Sequence, residues 1–135
     1  MTRDKFISEL KEMHECVVHM GNLAIEAIDK SIEALINQDK ILAQEVILGD
    51  EHIDRQEERI TAKGLHILLT QQPVANDFKE INATMKFVVD IERIADQASD
   101  IARLSLHFNA PFIKRIEHIP MMSEVAKYMV KEALK

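Results

Sequence analysis

Apolar residues in the first third of the chain recur with a regular alternating step. Phe6, Leu10, Met13, Val17, Met20, Ala24 and Ala27 are spaced four, three, four, three, four and three residues apart. That step holds side chains on one stripe of an α-helix and suits packing at a shallow crossing angle. It predicts a helix over 2–37. The segment Asn37-Gln38-Asp39 reads as a turn, with Asp39 as N-cap of the next helix. In the second helix, predicted over 40–70, Val46, Ile53, Ile60 and Ile67 recur every seven residues. The alternating positions Gly49, Gln56 and Lys63 are weaker, so this helix should be less completely buried.

Proline at 73 should end that helix at Gln71-Gln72 and then sit in the first turn of a third helix running to about His107. The third seam reads Val74, Phe78, Ile81, Met85, Val88, Glu92, Ala95, Ser99, Ala102 and Leu106. A second stripe of Phe87, Ile91, Ile94, Ala98 and Ile101 predicts contact with two neighbours. The loop Asn109-Ala110-Pro111 follows, and Pro120 opens a fourth helical segment. Helices of this length span about 45–50 Å each at ~1.5 Å per residue. Short connections make consecutive helices antiparallel. The expected fold is all-α, an elongated antiparallel up-down three-helix bundle of spectrin-like shape. A shift of 102 residues lays Met122 on Met20, Val125 on Leu23, Ala126 on Ala24, Met129 on Ala27, Val130 on Ile28, Ala133 on Ser31 and Leu134 on Ile32. Six of these seven pairs are apolar on both sides. Two readings stay open, a short fourth helix or the start of a second copy of the same unit.

Composition narrows the function classes. The 135 residues carry a formal charge of −6, which opposes the phosphate contacts that nucleic acid needs. The single Cys16 forms no internal disulfide, which fits a reducing compartment. The N-terminus is charged where a signal peptide needs an apolar stretch, and no run of about twenty apolar residues exists. The cytoplasm is the expected location.

Two acidic pairs stand out. Asp50 and Asp54 lie one helical turn apart on the second helix, with Glu57 continuing the strip. Glu92 and Asp96 repeat the device on the third helix, with Asp100 a further turn along. Glu92 occupies a seam position that the pattern reserves for an apolar residue, so something positive should offset it, a basic side chain or a bound cation. Asp54 and Glu92 are nearly equidistant from the Gln72–Pro73 junction, so a hairpin pivoting there brings the pairs to one height. Four carboxylates at one level suit a hard cation, Mg, Mn or Fe, with Zn also admissible. An acidic i,i+4 pair is ordinarily a solvated face; matched height and the intrusion of Glu92 on the seam leave the metal site and the solvated face balanced. His52, between the two Asp, is a further candidate ligand, against the commoner reading of a surface histidine. No Glu is followed three residues later by His, which disfavours ferritin-like di-iron chemistry. No Gly-rich phosphate cradle, Ser-His-Asp set or CxxC is present, so no enzyme is expected.

Several of these segments resemble the PhoU family of phosphate-signalling regulators. They are Met20-Gly21-Asn22-Leu23-Ala24 through Ala27-Ile28, then Leu42-Ala43, Val46-Ile47, Asp50 and Ile53-Asp54, Gln71-Gln72-Pro73-Val74-Ala75-Asn76-Asp77-Phe78-Lys79, and Ile91-Glu92-Arg93-Ile94-Ala95-Asp96-Gln97-Ala98. Members are tandem three-helix bundles, so the resemblance implies one repeat over 1–110 and a linker plus the first helix of a truncated second repeat over 111–135. It implies metal, iron or zinc, at Asp50, Asp54, Glu92 and Asp96. Ala95 stands where the family commonly has Gly and Gln97 where it often has His. The implied role is a cytoplasmic accessory of the phosphate ABC transporter that represses phosphate-starvation signalling. Its implied partners are the transporter ATPase and a sensor histidine kinase. It would be a homodimer, peripheral at the inner membrane only through those partners. Two other roles stay open: a subunit of another phosphate permease, and a metal-binding or storage bundle unrelated to phosphate.

Overall fold

Four α-helices make up nearly all of the residues that the computed structural model describes, 3–107 and 118–134. They are α1 (Arg3–Asn37), α2 (Lys40–Gln71), α3 (Ala75–Ser105) and α4 (His118–Ala133). The expected loop Asn109-Ala110-Pro111 and the helix start at Thr2 lie outside the described residues.

Ion pairs report the helix directions. Lys63 meets Glu12 at 2.9 Å and Lys30 meets Glu45 at 3.4 Å, so α1 and α2 run antiparallel. Arg3 meets Asp77 at 3.2 Å, which sets the start of α3 beside the start of α1. The three helices pack pairwise and enclose one continuous core.

That core follows the alternating apolar step. Phe6, Met13, Val17, Met20, Ala24 and Ala27 are buried on α1, and Val46, Ile53, Ile60 and Ile67 on α2. As expected, α2 is less completely buried than α1 and α3: Gly49 is exposed, and Gln56 and Lys63 are half-buried. On α3, Ile81, Val88, Ala95, Ser99 and Ala102 are buried, and Ile91 and Ala98 of the second stripe are buried with them. Val74 and Phe78 depart from the expected seam. Both are exposed, Asp77 beside them meets Arg3 at the rim of the bundle, and the buried face of α3 begins at Ile81. Gly64 is where three helices close up. A Cβ built there would lie 2.7 Å from Met85 Sδ and 3.1 Å from Met13 Cε, so the missing side chain admits both methionines.

The two corners are built differently. Gln38 adopts a left-handed conformation (φ 53°), and the Asp39 amide donates to the Ala34 carbonyl at 3.0 Å, closing α1 in the Schellman manner. The Asp39 carboxylate then accepts from the Leu42 amide at 3.0 Å, which makes it the N-cap of α2, as predicted. One residue thus ends one helix and begins the next. Asp39→Ala should lower the unfolding free energy by about 1 kcal/mol, read from urea midpoints at unchanged m-value. At the second corner Gln72 is left-handed (φ 44°, ψ 62°) and Val74 is extended (φ −67°, ψ 164°). The helix therefore starts at Ala75, two residues later than the proline rule predicts. Pro73 and Val74 are spent reversing the chain, and Val74 caps without a side-chain bond.

Helix α4 lies on α1. Leu134 covers Gly21, where a Cβ would come within 2.5 Å of its Cδ1. Lys127 pairs with Asp29 of α1 and, at 2.7 Å, with Glu124. The helix begins at His118, with Pro120 in the first turn where a missing amide is harmless. Among the described residues, no helix is long and apolar enough to cross a membrane.

Candidate metal centre

The α2–α3 hairpin pairs residues at matching distance from the Gln72–Val74 corner. Gly64 meets Met85 in this register, and Asp54 comes opposite Asp96. Asp50, one turn before Asp54, completes a cluster in which one carboxylate oxygen from each of Asp50, Asp54 and Asp96 lies within 4.8 Å of the others. Oxygens sharing one cation at about 2.0–2.6 Å are separated by no more than about 5 Å, so the three fit a single ion. All three side chains are half-buried.

Their surroundings supply few donors. Among the described residues, Asp50 Oδ1 and Asp54 Oδ1 are buried with no hydrogen-bond partner. Buried carboxylate oxygens normally accept at least one bond, so these two are short of donors. Glu92 stands against Asp96 and Asp54 and adds a fourth carboxyl group. Contact with the Asp96 carboxyl, burial and the Asp54 charge push the Glu92 carboxyl up to about 7. Burial and the charges of Asp96 and Asp54 push Asp50 up to about 6, with Arg103 opposing. Arg103 is itself engaged with Asp100 at 2.9 Å. A cation would supply the charge and the bonds that the protein withholds.

The other candidates fall elsewhere. His52 is exposed and turns to α1, where its ring stands 6.4 Å from that of His19. Asp100 is exposed and paired with Arg103. Glu57 is half-buried and lies outside the three-carboxylate group. By sequence Glu92 ranks with the three aspartates; the structure sets it beside the cluster, near two of its members. The small cleft next to Asp50, about 210 Å³, had no signal in the sequence beyond the missing side chain at Gly49.

Raised carboxyl pKa values have a definite consequence for the metal-free protein. Both groups hold their proton more tightly folded than unfolded, so stability falls as pH rises from about 4 through the folded values near 6 and 7. The loss should be on the order of 1 kcal/mol once solvent screening of these part-exposed groups is allowed for. In chelator the melting temperature should drop across that window, and less so for Glu92→Gln. Saturating Mn²⁺ should reverse the trend, because the ion needs the ionised carboxylates.

The class the structure defines is a three-helix bundle with a carboxylate cluster across one hairpin. Within that class the relatives are specific. The PhoU domain family matches residues 17–105, and the chain belongs to it. It is 40% identical over 131 residues to the phosphate-specific transport system accessory protein PhoU homolog of Aquifex aeolicus, covering 96% of this chain and 59% of that protein. The corresponding protein of Clostridium acetobutylicum is 37% identical over 136 residues, covering 99% of this chain and 62% of the relative. The crystal structure of PhoU from Pseudomonas aeruginosa superposes with a TM-score of 0.86 at 32% identity, covering 96% of this chain and 63% of that one. PhoU from Streptococcus pneumoniae gives a TM-score of 0.87 at 25% identity. The chain thus spans about three-fifths of the length of these relatives.

Proposed function

We propose that this chain is a metal-binding, non-catalytic regulator of phosphate uptake. The carrying observation is the convergence of Asp50, Asp54 and Asp96 within 4.8 Å, with two orphaned oxygens, in a PhoU domain. Relatives named as accessories of the phosphate-specific transport system support the phosphate context. In this reading the cluster holds iron or zinc, with Mg or Mn as the hard-ion alternatives that an all-oxygen set accepts. Glu92 adjusts the charge of the site. The protein works in the cytoplasm as a dimer, restraining starvation signalling through the transporter ATPase and a sensor kinase. Helix α4 is the opening helix of a second repeat, consistent with its packing on α1.

The test has two parts. Protein purified without chelator should carry close to one equivalent or more of a transition metal by elemental analysis. A strain whose own copy bears Asp50→Ala and Asp96→Ala should express a phosphate-starvation reporter in high phosphate. Less than about a tenth of an equivalent of metal, with normal repression in the variant strain, would defeat the proposal.

A further inference from the structure

His19 and His52 form a pair outside the carboxylate cluster. His19 lies on α1 and His52 on α2, both are exposed, and their rings stand 6.4 Å apart at 79°. Exposure means that no burial energy holds the two rings together. Their separation is set by the helices beneath, where Val17 and Met20 of α1 and Ile53 and Ile60 of α2 belong to one core. Ion pairs pin the register on either side, Lys63–Glu12 at 2.9 Å and Lys30–Glu45 at 3.4 Å. Two imidazoles are therefore presented across a helix interface at a spacing the rings do not have to enforce.

That spacing is within about 1–2 Å of shared coordination. With metal–nitrogen bonds of about 2.0–2.1 Å, a ring centre lies about 3.2 Å from the ion. Two imidazoles on one ion then have ring centres about 4.5–5.2 Å apart at cis or tetrahedral angles, a distance that rotation of the two exposed side chains closes from 6.4 Å. Neutral imidazole is the commonest protein ligand for Zn²⁺, Ni²⁺ and Cu²⁺, and these ions favour it over carboxylate oxygen more than Mg²⁺ or Mn²⁺ do. We propose that His19 and His52 chelate a borderline divalent transition-metal ion at a cross-helix site separate from Asp50, Asp54 and Asp96. The bundle then carries two sites of opposite hardness. The imidazole site ties α1 to α2 on the rim of the cleft of about 210 Å³ that His52 and Asp50 both line. The remaining coordination positions face solvent.

Calorimetric titration of Ni²⁺ into the full chain tests this, with His19→Ala, His52→Ala and the triple variant Asp50→Asn/Asp54→Asn/Asp96→Asn alongside. Circular dichroism should show unchanged helix content in each. Either histidine variant should weaken Ni²⁺ binding by about tenfold or more, and the triple variant should retain it within about twofold. A second readout is the melting temperature, which Ni²⁺ should raise in the wild type and the triple variant but not in either histidine variant. Unchanged Ni²⁺ affinity on removing either histidine, or its loss in the triple variant, overturns the proposal. The result is independent of whether the carboxylate cluster binds iron, zinc or nothing.

Discussion

Asp96→Asn should raise the melting temperature of the metal-free protein while lowering its affinity for Mn²⁺ by at least about a hundredfold. The two effects share one cause. Three carboxylates converge within 4.8 Å, and two of their oxygens are buried without a donor. Replacing Asp96 removes one of the like charges that push Asp50 and Glu92 upward, and its new amide can donate to an orphaned oxygen. A gain of about 1 kcal/mol is expected in chelator, after allowing for the half-exposed setting. Saturating Mn²⁺ should stabilise the wild type and leave the variant unmoved, so the order of stabilities reverses on adding metal. A purely structural carboxylate would behave in the opposite way, losing stability on neutralisation. Thermal melts with and without Mn²⁺, joined to a Mn²⁺ titration, separate the two cases; a variant less stable than the wild type in chelator would refute the expectation.

The largest stability effect lies at Ile60. Its side chain is fully buried at the middle of the α2 column, among the largest wholly enclosed residues in the bundle. Ile60→Ala leaves a cavity that three packed helices cannot easily close, and should cost about 3–5 kcal/mol. Set against total stabilities of about 5–15 kcal/mol, that removes a large share. The neighbouring Gly64, already filled by Met13 and Met85, shows how little slack the interface holds. Urea unfolding should show a midpoint shift with little change in m-value. A loss below about 1 kcal/mol would mean that the flexible methionines flow into the space.

Much of this was readable before any coordinates. The helix limits of α1 and α2, the Asp39 cap and the apolar columns follow from local rules, because a helical stripe and a capping bond depend on residues a few positions apart. Asp50, Asp54 and Asp96 were visible by symmetry about Pro73, since an antiparallel hairpin converts sequence distance into height. What escaped was set by the partner helix. Val74 and Phe78 read as seam residues, yet the first turn of α3 meets α1 through the exposed Arg3–Asp77 pair, 74 positions apart, and burial begins only at Ile81. His52 read as a cluster neighbour, but its rotation about α2 aims it at α1, and only the α1–α2 register reveals His19 across from it. Likewise Gly64 carries no signal in the sequence, because the two methionines that fill the space a side chain would take come from other helices.

The two corners have a kinetic consequence. Each turns through a glutamine with positive φ, at 53° and 44°, where glycine would enter without strain. A left-handed non-glycine residue costs about 1–2 kcal/mol, which at the first corner offsets most of what the Asp39 cap and the Asp39–Ala34 bond contribute locally. If burial along the apolar columns draws the helices together before the corners close, relieving that strain, as Gln72→Gly would, should act mainly on the unfolding limb of the chevron and lengthen the lifetime of the folded bundle.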